Sequence, residues 1–129
     1  LKRFLEAQNV PYVEDEYDHH EWLSVIKGLE DEPERGSRCS VCFQFRLSHA
    51  AKYAQEHGFH LLTTTLASSR WKNIRQIDTA GHLAVEAYPD VEWWDMNWRK
   101  GGLQNRRGEL LRINEFYNQL YCGCEFSMR

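Results

Sequence analysis

The sequence predicts an α/β domain over residues 1–129, in which helices and a largely parallel sheet form helix–sheet–helix layers. Three observations carry this. Segments with apolar residues every three to four positions alternate with short apolar extended runs. The stretches between candidate strands are long enough for helical crossovers, which parallel pairing requires. A length of 129 residues with a 42% hydrophobic fraction and five tryptophans suffices for one core without staples.

In chain order, "LKRFLEAQNV" reads as the end of an amphipathic helix, with Leu1, Phe4 and Leu5 on one face. "VPYVEDEYD" reads as a strand through Val10, Tyr12 and Val13. His19, Trp22, Leu23, Ile26 and Leu29 repeat at helical spacing. The polar loop "EDEPERGSR" then leads to a helix with Ser40 as its cap. That helix shows Phe43, Leu47, Ala50, Ala51 and Ala54 on one face and stops at Gly58. "FHLLTTTL" predicts a strand buried on both faces. The loop "ASSRWKN" leads into a helix through about residue 87, carrying Ile74, Ile77, Ala80 and Leu83 and ended by Pro89. "VEWWD" predicts a short strand with one tryptophan buried and the other exposed or half-buried. The basic loop "NWRKGGLQNRRG" precedes a last helix with Leu110, Leu111, Ile113 and Phe116. The C-terminal end of the Thr-rich strand is where such sheets place ligands.

Sixteen basic and nineteen acidic residues give a net charge of −3, so nucleic-acid contact would need a local patch. The sequence shows neither an apolar stretch of about 20 residues, as a bilayer span needs, nor a signal sequence. The chain reads as cytoplasmic, and four cysteines there point to metal or redox chemistry before structural disulfides. Because Leu1 falls within a helical pattern, we expect an N-terminal segment to be missing. The six histidines form no metal motif; His19 and His20 are adjacent, point apart on a helix, and read as surface residues.

Cys39 and Cys42 have C-x-x-C spacing near a helix N-terminus, which favours thiolates. The spacing suits zinc, an iron–sulfur cluster or a dithiol couple, and it is also compatible with two ordinary buried cysteines. Cys122 and Cys124 flank Gly123. Such a C-x-C pair closes only a small, strained disulfide ring, which is readily reduced. Alternatively, all four cysteines could ligate one zinc.

"RCSVCFQFRLSHAAKYAQEHGF", "LTTTLASSRWKN", "NWRKGGLQNRRGELL" and "FYNQLYCGCEFS" together resemble the QueH type of epoxyqueuosine reductase, in the family's order through nearly the whole chain. R-C-x-x-C-F-x-x-R-L and Y-C-G-C-x-x-S carry most of the specificity. The resemblance implies a Rossmann-like, adenine nucleotide alpha hydrolase-like fold and reduction of epoxyqueuosine to queuosine at the tRNA wobble position. It also implies a [4Fe–4S] cluster, with Cys39 and Cys42 as two ligands and Cys122/Cys124 as a redox-active disulfide. The family's other cluster cysteines form an adjacent Cys-Cys pair after the first strand, which this sequence lacks. A truncated chain that holds no intact cluster by itself is therefore expected. The family often has Arg at the position of Asn118.

In this reading an iron centre acts as a Lewis acid on the epoxide oxygen, with an additional iron or other metal ion as a further candidate. The Cys122/Cys124 couple relays electrons from a donor of unknown identity, and Tyr121 is a candidate proton donor. Arg70 and Lys72 are candidates to hold phosphate or ribose. Trp98, Arg99 and Lys100, followed by Gly101 and Gly102, are candidates to contact unstacked tRNA bases. Two other classes compete: a zinc-stabilised RNA-binding module with four structural cysteines, and a thioredoxin-like dithiol exchange protein. The latter would place a strand, not a polar loop, before its C-x-x-C.

Overall fold

A computed structural model of the chain describes residues 1–16, 18–69, 72–117, 121, 122 and 124–128. Among these residues the fold is α/β, mostly helical, with a small two-stranded parallel sheet. In order, it contains α1 (Lys2–Ala7), α2 (His19–Val25), α3 (Ser37–Glu56), β1 (Leu61–Leu62), α4 (Ile74–Glu86), β2 (Glu92–Trp93) and α5 (Leu103–Ile113). Short 3-10 turns follow β1 at Thr65–Ser68 and close the chain at Glu125–Ser127.

β1 and β2 pair in parallel, with α4 as the crossover between them. The register puts Leu62 opposite Trp93 and Leu61 opposite Glu92. Because side chains alternate along a strand, Leu62 and Trp93 face inward to the core, while Leu61 is 56% exposed. The core lies between α3 and α4 beneath this inner face. α3 contributes Cys39, Phe43, Leu47 and Ala51, and α4 contributes Ile77, Ala80 and Ala84. Both sets follow the three-to-four spacing of a single helical face.

Gly81 lets α4 approach the sheet. A Cβ there would lie 2.2 Å from the Trp93 ring, so only glycine fits without movement. Gly58 follows the C-cap of α3, His57, with a φ of +74° that suits glycine, and Phe59 N–H closes the end by donating to the Ala54 carbonyl at 2.9 Å. α4 begins at Asn73, whose Oδ1 accepts from the backbone N–H groups of Arg75 and Gln76. Asn73→Ala is expected to cost about 1 kcal/mol, the usual value of such a cap. A lowered urea midpoint at unchanged slope checks this.

Several sequence expectations are corrected. Residues 10–16 form no strand, and Val10, Tyr12 and Val13 are exposed. Pro11 lacks an N–H for a ladder, and the segment instead returns along α1 through Tyr12 Oη donating to Glu6 Oε1 and a Lys2–Glu14 ion pair. Ser40 does not cap α3. The helix starts at Ser37 with Gly36 as N-cap, and Ser40 Oγ accepts a 2.6 Å hydrogen bond from Gln76 Nε2. "FHLLTTTL" yields a strand of only two residues, open on one face, because Thr64 turns the chain by accepting from Leu66 N–H. α2 ends at Val25, and α5 begins inside the basic loop at Leu103. The tryptophan expectation holds: Trp93 is buried and Trp94 exposed.

Candidate functional site

The first turn of α3 and the C-terminal segment meet across one cavity of about 580 Å³. Cys39, Cys42, Cys122 and Cys124 all line it, although the two pairs lie far apart in sequence. All four are unbridged. Cys39 is 8% exposed and belongs to the apolar core; its Sγ accepts from Arg35 N–H at 3.3 Å. Cys42 is half-buried, and its Sγ accepts from the Trp22 indole Nε1–H at 3.4 Å. Each C-x-x-C sulfur thus receives one N–H donor, which steadies negative charge on sulfur.

Burial pushes the Cys39 thiol above its ordinary value of 9.0. The Arg35 N–H and the Arg38 and Lys72 cations oppose this, and Cys122 adds to it. A helix N-terminus was expected to lower this thiol's pKa. The correction is physical: Cys39 sits three residues into α3 and packs into the core, so desolvation outweighs the donors. In metal-free protein, Cys39 alkylation by iodoacetamide is therefore expected to keep accelerating above pH 9.0. A rate that levels off below that pH would contradict the assignment.

Two cations line the inner wall. Arg38 is 1% exposed and Lys72 7% exposed, and among the described residues neither pairs with a carboxylate. Lys72 Nζ lies 5.2 Å from the centre of the Phe43 ring. A buried cation without an anion is costly, so this wall favours anionic sulfur. The rim is acidic: Asp15, Asp18, Glu21 and Glu125 line it, and Glu125 lies 3.1 Å from His19 Nε2.

Lys72 comes from the loop after β1, at the C-terminal edge of the sheet. The loop after β2 packs beside it: Thr63 Oγ1 donates to the Trp94 carbonyl, and Arg99 Nη1 donates to the Ser69 and Lys72 carbonyls at 3.2 Å. Arg99 thus ties the two loops together. Trp98 is half-buried and edge-on to Trp94, with ring centres 5.1 Å apart, while Lys100 is exposed. Tyr121 is half-buried beside Cys122. Arg70 and Asn118 lie outside the described residues.

Sequence reasoning missed three residues here. Arg38 and Ser127 are buried polar groups joined across the chain, and Trp22 is a donor to sulfur as well as an apolar helix residue. The available signals were proximity: Arg38 directly precedes Cys39, and Ser127 follows Cys124 by three residues.

The family model described as "Epoxyqueuosine reductase QueH" matches residues 1–129. The chain belongs to the QueH family. The curated relatives that carry the name Epoxyqueuosine reductase QueH include three at different distances from this chain. The Histophilus somni protein is 49% identical over 127 residues, covering 98% of this chain and 52% of the relative. The Acinetobacter baylyi protein is 46% identical over 127 residues, covering 98% of this chain and 58% of its own length. The Staphylococcus aureus protein is 34% identical over 121 residues, covering 92% and 50%. The chain thus spans about half the length of the QueH relatives it matches.

A metal cluster in this QueH chain can be tested against its donors. Cys39 and Cys42, one helical turn apart and facing the same cavity, fit two positions of a thiolate-ligated cluster. Among the described residues, no three His, Cys, Asp or Glu side chains are arranged to hold a metal ion. The donor set here is thus half of the four thiolates that a cubane cluster takes. Also among the described residues, no helix is long and apolar enough to cross a membrane.

Proposed function

We propose that the whole protein reduces epoxyqueuosine to queuosine at the tRNA wobble position, the last step of queuosine biosynthesis, in the cytoplasm. The observation that carries this is the convergence of both cysteine pairs on one cavity. The names of the QueH relatives supply the substrate class. We read residues 1–129 as one α/β unit of a layered, Rossmann-like, adenine nucleotide alpha hydrolase-like fold. The parallel β1–α4–β2 crossover, with the cavity beside its C-terminal edge, supports that reading.

Removing the epoxide oxygen to leave an alkene consumes two electrons and two protons and releases water. The Cys122/Cys124 dithiol carries the same complement: its oxidation to a disulfide releases two electrons and two protons. An external electron donor must then reduce the disulfide for the next turnover. Tyr121 stands next to Cys122 as a proton donor. Cys39 and Cys42 would hold two corners of a [4Fe–4S] cluster, which when bound supplies one-electron transfer and Lewis acidity. Lys72 and Arg38 keep the cavity wall positive against thiolate charge. Trp98 and Lys100, on the loop after β2, are proposed to meet the tRNA, with Arg99 holding that loop in place.

Expression of the full-length protein in cells whose own epoxyqueuosine reductase has been deleted tests this. Queuosine should reappear in their tRNA, and Cys39→Ser should leave epoxyqueuosine in its place. Persistence of epoxyqueuosine with wild-type protein would refute the reading.

A further inference from the structure

α5 buries none of its residues, so it cannot anchor the C-terminal cysteines on the core. The anchor lies elsewhere. Arg38, the second residue of α3, turns its guanidinium away from solvent and spreads it over two separate parts of the chain. Nη1 donates to the carbonyls of Leu29, Glu30 and Glu32, which converge in the turn after α2. Nη2 donates to Ser127 Oγ at 3.0 Å, across 89 positions of sequence. Ser127 is buried, and its own N–H donates to the Cys124 carbonyl at 3.0 Å, closing the turn that follows the cysteine pair. The guanidinium also lies 5.6 Å from the centre of the Phe126 ring, which stacks with Trp22 at a ring-centre distance of 6.2 Å.

We propose that Arg38 is the positioning residue that holds the Cys122/Cys124 segment against the first turn of α3. A planar fork suits this place and a single ammonium does not. The acceptors lie on two different segments, and one guanidinium reaches both while remaining charged. The sequence logic is the same: Arg38 adjoins one cysteine pair, and its partner Ser127 follows the other by three residues. The bridge makes the geometry of the second pair depend on the helix that carries the first.

The test is cysteine labelling by iodoacetamide, read by mass spectrometry, on full-length protein kept reduced and anaerobic. Hydrogen exchange of α4 serves as the reference for general loosening. Arg38→Gln should raise labelling of Cys122 and Cys124 by about tenfold, the scale of losing charged hydrogen bonds. Ser127→Ala, a gentler change, should raise it by roughly threefold with α4 exchange unchanged. Arg38→Lys keeps the charge but loses the fork, and should behave like Arg38→Gln. If Arg38→Gln does not fold, Ser127→Ala decides alone. Unchanged labelling, an equal rise in α4 exchange, or full restoration by Arg38→Lys would each overturn the proposal. Labelling is read on thiols without substrate, so wild-type protein that failed to reduce epoxyqueuosine would count against the reductase reading and leave this inference standing.

Discussion

Replacing Cys122 or Cys124 by serine in the full-length protein is expected to abolish multiple-turnover reduction, a loss of at least about a thousandfold. Serine preserves the size of the side chain but cannot form a disulfide, so neither variant can cycle between dithiol and disulfide. Both residues are half-buried in the cavity wall, and neither belongs to the apolar core cluster. Folding and tRNA affinity should therefore remain close to wild type while turnover disappears. Steady-state product formation, with tRNA binding measured in parallel, separates these outcomes. Full turnover by either variant would show that the pair does not relay electrons.

The second large effect is on folding. Gly81→Ala is expected to destabilise the domain by about 2 kcal/mol, and Gly81→Val by more. On an open helix surface, glycine to alanine would gain roughly 1 kcal/mol, so the sign of the effect is diagnostic. An added Cβ would meet three Trp93 ring carbons at 2.2, 2.3 and 2.5 Å. The ring has little freedom to give way. Its Nε1 donates to Asp78 Oδ1 at 3.2 Å, and its backbone is in register with Leu62 on β1. Overpacking should thus outweigh propensity. Urea unfolding measures the difference, and a stabilised Gly81→Ala would mean that α4 can slide away from the sheet.

Much of the fold was legible because it rests on periodicity. The face of α3 follows directly from the spacing of Phe43, Leu47 and Ala51, and Ile77 and Ala80 place that of α4, but Leu83, read onto the same face, is 48% exposed and Ala84 is buried instead. The crossover between β1 and β2 was legible for the same reason. The strand reading at Val10–Val13 was not borne out. An apolar alternation specifies a strand only where a partner edge exists, and Pro11 weakens any such pairing. β1 proved shorter than its apolar run because Thr64 formed a local turn in place of a ladder bond.

In the candidate site, the cysteine spacings were legible and their surroundings were not. An arginine beside a polar loop ordinarily reads as solvated. Arg38 is buried because three carbonyls of the turn after α2 converge on it, and that convergence exists only in three dimensions. The upward push on Cys39 was likewise hidden. The helix N-terminus is visible in sequence, whereas the depth of the first turn in the core is not.

If the two cysteine pairs form one reductase site, anaerobically purified full-length protein should convert tRNA carrying epoxyqueuosine in the presence of a chemical reductant, with the nucleosides identified by mass spectrometry. Queuosine, lighter by one oxygen atom, is expected in excess over protein, with none formed once Cys122 and Cys124 are both serine. Bound tRNA whose epoxyqueuosine stays intact under these conditions would contradict a single reductase site.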